Sequence, residues 1–298
     1  VVTTVNARGL LHRHPLAVHA SPSLKAVRTM IGEADLVVAV GTEFGPTDYD
    51  MYADGGSVLP RNLLRIDIDA DQLARHPVAI PLKGDAAELL DALVAELGDV
   101  RADRGTGVER AAATREAAWE EIGPVMRDQV RAVEVIRDAL PGSLIVGDST
   151  QPVYAANLCY DHDRPGGWFN ASTGYGALGY APPAAIGAAI ARPDLPVVCL
   201  VGDGGFQFTL PEIAVAAETG AAVIFVVWNN RGYREIETSM RDAGVEPVGV
   251  SPAPPDFVKL ADAYGIHAER IASLSGLGAA LIHARAAGGP RLVEIVVD

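Results

Sequence analysis

The sequence predicts an α/β protein with two doubly wound domains, each built on a parallel sheet. Short apolar runs that end in glycine or polar residues are typical of buried strands, and four stand out at 35–40, 63–68, 197–201 and 222–228. Helical patterns lie between these runs, and the alternation of strand and helix is characteristic of parallel sheets. The 298 residues suffice for two domains, and 49% of them are hydrophobic, which allows a substantial core.

We divide the chain into a first domain over 1–97, a linker over 98–112 and a second domain over 113–298. The linker begins with a polar, glycine-bearing stretch, 98–107, which is typical of a connection between domains. The other predicted elements are helices over 86–97, 109–127, 128–140, 184–191, 256–264 and 277–287, and strands over 144–146 and 291–297.

Composition excludes several classes of function. The formal net charge of −14 argues against a nucleic-acid partner, because an acidic surface repels phosphate backbones. The longest apolar runs have the length of strands, so we expect no membrane span. The first residues lack the basic start and the long apolar centre of a signal peptide, and two cysteines without metal spacing suit a reducing compartment. We therefore expect a cytoplasmic protein.

The stretch 197–232 predicts a strand, a helix and a second strand, which together form a right-handed βαβ unit. Residues 209–212 have the T-x-x-E form of a capping box at the start of the helix, and Gly220 suits its end. Because parallel strands end at the same edge of a sheet, the loops after the two strands lie side by side. Asp203 and Asn230 can therefore face one point, where ligands of open α/β sheets bind.

The residue types at this point suit a divalent cation and phosphate. Carboxylate and amide oxygens are hard ligands, which bind Mg²⁺ or Ca²⁺ better than zinc. Gly204 and Gly205 let main-chain N–H groups approach phosphate oxygens. The stretch fails as a dinucleotide fingerprint, because Gln207 replaces the third glycine. A plain βαβ unit with glycine and asparagine turns is the alternative, but turn chemistry does not require both the acid and the paired amides.

The order GDGGFQFTLPE…NNRGY, with 24 residues between GDG and NN, resembles the cofactor motif of thiamine diphosphate enzymes. The stretches ADLVVAVGTEFGPTDYD and RIDIDADQLARHP resemble the middle domain of the same family. The resemblance implies a partial central Rossmann-like domain followed by a thiamine diphosphate-binding domain, with Mg²⁺ as second cofactor. It begins partway through the middle domain, so we expect a pyrimidine-binding domain and one strand to be missing. FAD, which some members bind, is not favoured, because 41–45 suits a plain strand-to-helix turn.

The resemblance also implies roles for individual residues. Mg²⁺ is held by Asp203, Asn230 and the carbonyl group of Gly232, and the Gly176 carbonyl accepts from the aminopyrimidine ring. Leu178 is the apolar wedge beneath the two cofactor rings, with a plain core position as the alternative. Thr150 stands where the family has glycine, which is a departure from the family pattern. The remaining expected cofactor contacts are Ser149, Thr150, Gln151, Gly202, Gly204, Gly205 and Tyr233.

By resemblance we expect the non-oxidative decarboxylation of a small-molecule 2-oxo acid. GTEFGPTDYD and NNRGYREIETSM are most similar to 5-guanidino-2-oxopentanoate decarboxylases. A guanidinium substrate needs a facing carboxylate, and Glu235 and Glu237 are the nearest candidates, with a solvated helix face as the alternative. The second hypothesis is an acetolactate synthase-like carboligase. A third, from another class, is a cofactor-binding subunit or fragment without turnover.

The family's catalytic glutamate lies in the pyrimidine-binding domain, which nothing in this sequence resembles. We therefore expect these 298 residues alone to be inactive. Because family members complete the site across a dimer, we expect a homodimer or homotetramer, or a partner chain that carries the pyrimidine-binding domain.

Overall fold

The computed structural model describes residues 1–51, 54–55, 59–98 and 105–297. The helices and strands up to residue 121 are α1 (Lys25–Gly32), β1 (Val37–Val40), α2 (Pro46–Tyr49), β2 (Leu63–Asp67), α3 (Ala70–Ala74), β3 (Ile80–Lys83), α4 (Ala86–Leu97) and α5 (Gly107–Glu121). Those that follow are α6 (Gly123–Ala139), β4 (Leu144–Gly147), α7 (Gln151–Leu158), β5 (Trp168–Asn170), α8 (Ala181–Ala191), β6 (Val197–Gly202), α9 (Asp203–Phe206), α10 (Ile213–Thr219), β7 (Val223–Asn229), α11 (Arg234–Asp242), α12 (Phe257–Ala263), β8 (His267–Ile271), α13 (Leu277–Ala287) and β9 (Arg291–Val296).

The chain forms two compact units, each of which contains a parallel sheet with helices. The first unit comprises Val1–Thr4 and His14–Glu121, and the second comprises Val5–Arg13 and Ile122–Asp298. The predicted fold class, two α/β parallel-sheet domains, is confirmed. Of the predicted linker, residues 99–104 lie outside the described residues, and α5 begins within the rest. The domain limits 1–97, 98–112 and 113–298 stay a prediction.

In its described part, the first unit has a three-stranded parallel sheet in the order β1-β2-β3. The central strand β2 is buried, with Leu63 and Ile66 fully inaccessible. The first N–H groups of α1 receive no side-chain hydrogen bond from the N-cap residue, Leu24. The Glu121 carboxylate accepts from two of them, at 2.7 and 3.1 Å, which places a negative charge at the positive end of the helix.

The second unit has a parallel sheet whose described strands run in the order β5-β4-β6-β7-β9-β8. Every residue of β7 is buried, which is why 222–228 is a continuous apolar run and not an alternating one. Apolar side chains of α8, α10 and α12 form one core cluster with the sheet. Side chains of α6, α7 and α13 form another, so the sheet is covered on both faces as in a doubly wound domain.

The predicted βαβ unit is present, because β6 and β7 pair in parallel with Val197 opposite Val223. Its helix ends at Gly220 in the left-handed conformation, as predicted. The predicted capping box is wrong. Thr209 donates its hydroxyl to the Gly179 carbonyl at 2.8 Å and makes no side-chain cap, and a short 3₁₀ turn precedes the start of α10. A tertiary hydrogen bond thus replaces the local one.

The predicted helices over 109–127 and 128–140 divide at a different point. The first helix ends at Glu121 and the second begins at Gly123, because Gly123 adopts a positive φ of 74° and Pro124 starts the new helix. No helix in the described ranges combines the length and the apolar character needed to cross a membrane.

Candidate functional site

A cavity of about 200 Å³ opens in the second unit where β4, β6 and β7 end. Its walls come from four segments: the loop after β4 with α7, the glycine-rich loop before α8, the turn after β6 and the loop after β7. All twelve residues predicted to contact a cofactor line it: Ser149, Thr150, Gln151, Gly176, Leu178, Gly202, Asp203, Gly204, Gly205, Asn230, Gly232 and Tyr233. The topology of the sheet therefore gathers residues that are distant in the sequence.

The loops after β6 and β7 bring three oxygen atoms together. Asn230 Oδ1 lies 2.8 Å from the Gly232 carbonyl oxygen and 3.1 Å from Asp203 Oδ1, while Asn230 Nδ2 donates to Gln151 at 2.8 Å. If the amide is rotated by half a turn, its nitrogen donates to both oxygens instead. Adjacent ligands of an octahedral Mg²⁺ lie about 2.9 Å apart, given metal–oxygen distances of about 2.0–2.1 Å. The first orientation therefore suits a bound cation, and the second suits its absence.

Asp203 has the burial and the free oxygen expected of a metal ligand. Only 1% of the residue is exposed, and its Oδ2 atom is buried without a hydrogen-bond partner. Burial raises the pKa of this carboxyl group, and nearby main-chain N–H groups, including those of Gly204 and Gly232, act in the opposite direction. A cation would satisfy the free oxygen and offset the desolvation of the charge. The donor set of carboxylate, amide and carbonyl oxygens fits Mg²⁺.

Zinc sites are usually built from clusters of Cys, His and acidic side chains. Across the described ranges, no group of three or more His, Cys, Asp and Glu side chains is arranged to hold a metal ion. The part of the chain that the structure describes therefore offers no zinc site as an alternative to the oxygen atoms around Asp203.

Two glycines at the cavity allow contacts that any side chain would block. A Cβ atom on Gly204 would lie 2.4 Å from the Tyr233 ring, so only glycine lets the ring pack against this turn. Gly232 has a φ of 153°, and a Cβ atom there would lie 2.6 Å from the Val250 carbonyl oxygen. The loop after β7, residues 230–232, can therefore turn toward the cavity only with glycine at position 232. We call this segment the metal loop, after the role proposed for it.

The glycine-rich loop is tied to the loop after β4. Ser149 Oγ donates to the Gly176 carbonyl oxygen at 3.0 Å, and the Tyr154 hydroxyl bonds to Ser149 in turn. Leu178 is half-buried at the cavity wall and lies beside Gly205, a position that suits a wedge better than a core residue.

Sequence reasoning missed Asp148, which holds these loops together. The residue is fully buried, and its two carboxylate oxygens accept from the N–H groups of Ser149 at 2.9 Å, Gly179 at 3.2 Å and Ala181 at 2.9 Å. Burial raises the pKa of the carboxyl group, and the N–H donors oppose this shift. A signal was present, because the neighbouring strands β4 and β6 end in the same sequence, Val-Gly-Asp. Tyr154 was missed as well, since 151–158 was not predicted as a helix.

The two acidic residues after the metal loop have different surroundings. Glu235 lines the cavity and is exposed. Glu237 is not among the lining residues. Arg234 and Arg241 donate to it at 2.7 and 2.9 Å, and these bonds lower the pKa of its carboxyl group. Arg234 also donates from Nε to the Asn230 carbonyl oxygen at 3.0 Å, which fixes the start of α11 against the metal loop.

Two family models match the chain. The thiamine pyrophosphate enzyme central domain matches residues 1–93, and the C-terminal TPP binding domain of the same enzymes matches residues 147–295. Thiamine pyrophosphate is another name for thiamine diphosphate.

Curated relatives and a solved structure match over almost the whole chain. A probable 2-ketoarginine decarboxylase AruI of Pseudomonas aeruginosa is 36% identical over 297 residues, which is 98% of this chain and 52% of that protein. A probable acetolactate synthase large subunit of Methanocaldococcus jannaschii is 29% identical over 321 residues, covering 100% and 53%. The thiamine diphosphate-dependent 4-hydroxybenzoylformate decarboxylase of Rhodococcus jostii RHA1 has a similar fold, with a TM-score of 0.72, 22% identity and coverage of 100% and 56%. The chain thus spans about half the length of these relatives.

Proposed function

Because the chain belongs to the thiamine pyrophosphate enzyme family, we propose that it binds thiamine diphosphate through Mg²⁺ and serves the non-oxidative decarboxylation of a 2-oxo acid. The observation that carries the proposal is the convergence of all twelve expected residues on one cavity. There the Asn230 side-chain amide lies 2.8 Å from the Gly232 carbonyl oxygen and 3.1 Å from Asp203 Oδ1, close to the spacing of adjacent Mg²⁺ ligands. When bound, the thiazolium ring of the cofactor would act as the sink for the electrons released with CO₂.

The metal loop would hold the diphosphate end of the cofactor. Asp203, Asn230 and the Gly232 carbonyl group supply oxygens to Mg²⁺, and the buried, unpartnered Oδ2 atom of Asp203 supports this role. A cation would neutralise much of the charge of the diphosphate, which a chain with a formal net charge of −14 would otherwise disfavour. Ser149, Thr150 and Gln151 complete this end of the cavity.

The glycine-rich loop would orient the rings. A carbonyl oxygen has two lone pairs, so the Gly176 carbonyl can keep its bond from Ser149 while it accepts from the aminopyrimidine. Leu178 would hold the two rings bent toward each other from its position on the cavity wall. Asp148 would keep the backbone of both loops fixed, because it accepts from N–H groups on each of them.

We propose a guanidino 2-oxo acid, such as 5-guanidino-2-oxopentanoate, as the substrate. The 36% identical relative, a probable 2-ketoarginine decarboxylase, supports this class. Glu235 supports it as well, because it faces the cavity and has no ion pair among the described residues, whereas Glu237 is neutralised by two arginines. A carboxylate pairs with a guanidinium through two parallel hydrogen bonds. An acetolactate synthase-like carboligase remains the second candidate, favoured by the similarity to the acetolactate synthase large subunit.

The complete activity would need the part of the family's architecture that this chain does not span. A homo-oligomer, or a partner chain with the pyrimidine-binding domain, would supply the glutamate that the family uses for proton transfer. A non-catalytic subunit, which would bind the cofactor without turnover, is the remaining alternative.

Titration calorimetry of thiamine diphosphate tests the proposal. We expect binding in the presence of Mg²⁺, loss of binding with a chelator, and loss in Asp203→Ala even at saturating Mg²⁺. Asp194→Ala, which removes an exposed carboxylate paired with Arg192, is the matched control and should bind as the wild type does. Equal affinity in Asp203→Ala and the wild type would end the metal assignment.

A further inference from the structure

A second cavity of about 330 Å³ lies next to the metal loop in the second unit. Asn229, Arg231, Arg270 and Glu294 are among its lining residues. Asn229 and Asn230, although adjacent in the sequence, therefore line different cavities. The Glu294 carboxylate lies beside this second cavity and is almost completely buried, since only 1% of the residue is exposed.

The Glu294 carboxylate, on β9, accepts two hydrogen bonds from different strands. Its Oε1 atom accepts from Asn229 Nδ2, at the end of β7, over 2.6 Å. Its Oε2 atom accepts from Arg270 Nε, on β8, over 2.7 Å. Both oxygens of the buried carboxylate are thus engaged, one by a cation and the other by an amide. These contacts do more than neutralise the charge of Glu294, because Asn229 is the residue directly before the metal loop.

The Asn229 side chain transmits this arrangement to the loop. Its Oδ1 atom accepts from the main-chain N–H of Arg231 at 3.1 Å. Arg231 has a φ of 60°, a left-handed conformation that is uncommon for residues other than glycine and asparagine. It lies between Asn230 and Gly232, which are two of the three proposed magnesium ligands. The direction of both ligands therefore depends on the conformation that the Asn229 side chain supports.

The charge of Glu294 fixes which way the Asn229 amide points. A carboxylate only accepts hydrogen bonds, so it must face the amide nitrogen, and the amide oxygen is then directed to the Arg231 N–H. Arg270 neutralises Glu294 and holds its second oxygen. We propose that Glu294 is a positioning residue that sets the metal loop through Asn229, with Arg270 as its support. This inference rests on the proposed binding of Mg²⁺ and thiamine diphosphate.

Exchanging the two interacting side chains tests the proposal. Glu294→Gln places the new amide NH₂ group against one of the two donors, Asn229 Nδ2 or Arg270 Nε. Asn229→Asp places a second carboxylate against that of Glu294. Each single variant therefore breaks the series of hydrogen bonds. In the double variant, the new carboxylate on β7 accepts from the Arg231 N–H and from the new amide on β9, whose oxygen accepts from Arg270. We expect each single variant to bind thiamine diphosphate with Mg²⁺ at least about tenfold more weakly than the wild type. The double variant should return to within about threefold of it.

Controls separate positioning from mere stability. Asp256→Asn changes the other partner of Arg270, bonded at 2.9 Å, but does not touch Asn229, and it should leave the affinity unchanged. Asn229→Ala brings in no like charge, and serves as the single variant if Asn229→Asp or Glu294→Gln does not fold. It should also bind at least about tenfold more weakly. Affinity is measured by calorimetry, and the fraction of folded protein by circular dichroism.

The outcomes are distinct. Folded single variants that bind as the wild type does, or a double variant no better than the weaker single, would overturn the positioning role while the proposed function stands. A wild-type chain that binds no cofactor with Mg²⁺ would overturn the proposed function and this inference together.

Discussion

The two units differ in the charge that lies near the carboxyl edge of their parallel sheets. In the first unit, the buried guanidinium of Arg65 on β2 donates to the carbonyl oxygens of Thr42 at 2.8 Å and Gln72 at 2.7 Å. The first unit thus fills its edge with a cation of its own. In the second unit, Asp203 Oδ1 and the Gly232 carbonyl oxygen both lie within 3.1 Å of the Asn230 side-chain amide, at the edge where we propose that an external cation binds. The first sheet has a buried cation on its central strand, whereas the second has a buried carboxylate, that of Asp203, directly after β6. We call this second edge the receptive edge.

The difference bears on the loop 41–45, where we expect a plain turn and not a site for FAD. One of its carbonyl groups is taken by Arg65, and Phe44 within it lies under the same guanidinium, 5.1 Å from its carbon to the ring centre. The loop is therefore held by internal contacts, which supports the interpretation as a plain turn. FAD stays a cofactor that we do not favour.

The largest effect should come from the half of the relatives' length that this chain does not span. We expect the 298 residues, with Mg²⁺ and thiamine diphosphate, to release no CO₂ above the buffer rate from a panel of 2-oxo acids. Positioned proton transfer is worth about 10²–10⁴-fold, and the resemblance assigns it to a glutamate of the pyrimidine-binding domain. A CO₂ assay with and without an added pyrimidine-binding domain measures this. Robust turnover by the chain alone would mean that the receptive edge of the second unit is a whole site.

The next effect concerns the buried carboxylate that shapes this edge. Asp148→Ala removes the acceptor of three main-chain N–H groups, and each unsatisfied group costs about 1–3 kcal/mol. We expect the free energy of unfolding of the second unit to fall by about 3 kcal/mol, measured by urea denaturation and the fluorescence of the buried Trp168. Asp194→Ala is the exposed control. Equal stability of the two variants would show that the edge does not depend on Asp148.

A smaller effect tests whether the receptive edge also selects the substrate. In an enzyme completed with the pyrimidine-binding domain, Glu235→Gln should lower kcat/KM for a guanidino 2-oxo acid by about tenfold, as expected for the loss of one charge-assisted hydrogen bond. Turnover of pyruvate should not change. Glu237→Gln, whose carboxylate already pairs with two arginines, should not discriminate between the substrates. Equal losses on both substrates in Glu235→Gln would remove specificity as its role.

The smallest effect is a dependence of stability on pH that belongs to the second unit. His162 is fully buried, its Nε2 atom lies 3.1 Å from the Ser143 carbonyl oxygen, and its Nδ1 atom lies 2.8 Å from the Tyr160 hydroxyl. Burial lowers the pKa of its ring below the ordinary 6.5, with Asp163 opposing the shift. Because the folded ring binds its proton less readily than the unfolded ring, its contribution is complete above pH 6.5. That contribution is lost as the pH falls toward the folded pKa.

The expected slope is about 1 kcal/mol per pH unit below 6.5. Denaturation of the wild type and of His162→Gln at a series of pH values measures it, and the variant should have the flatter profile. Parallel profiles would contradict the assignment to His162.

Much of the second unit could be predicted from the sequence, because its central strands are long and apolar on both faces. The runs at 197–201 and 222–228 correspond to β6 and β7, and glycines mark the ends of the elements. The first unit was harder. β3 carries Pro81 and its residues are mostly exposed, so it lacks the apolar pattern of a strand. The three residues of β5 are too few to show any period.

The candidate site was predictable where one motif carried it, and less so where it depends on tertiary contacts. GDG and NN predicted that the loops after β6 and β7 meet, and the family resemblance added the other residues that line the same cavity. Asp148 was missed, because its role is to accept from main-chain groups of a loop more than 30 residues away, which no spacing reveals. The same holds for Thr209, where the local capping pattern was outweighed by a bond to Gly179.

The exposed strand β1 has a consequence for handling the protein. Within the described residues, β1 pairs on one side only, and Val38 and Val40 are 41% and 38% exposed. A free edge of β-branched residues is a template on which further strands add, so concentrated samples should aggregate from this strand outward. Val38→Lys would place a charge on the edge and should delay light scattering on storage. A preparation in which the first unit does not aggregate is therefore the one suited to calorimetry of cofactor binding by the second unit.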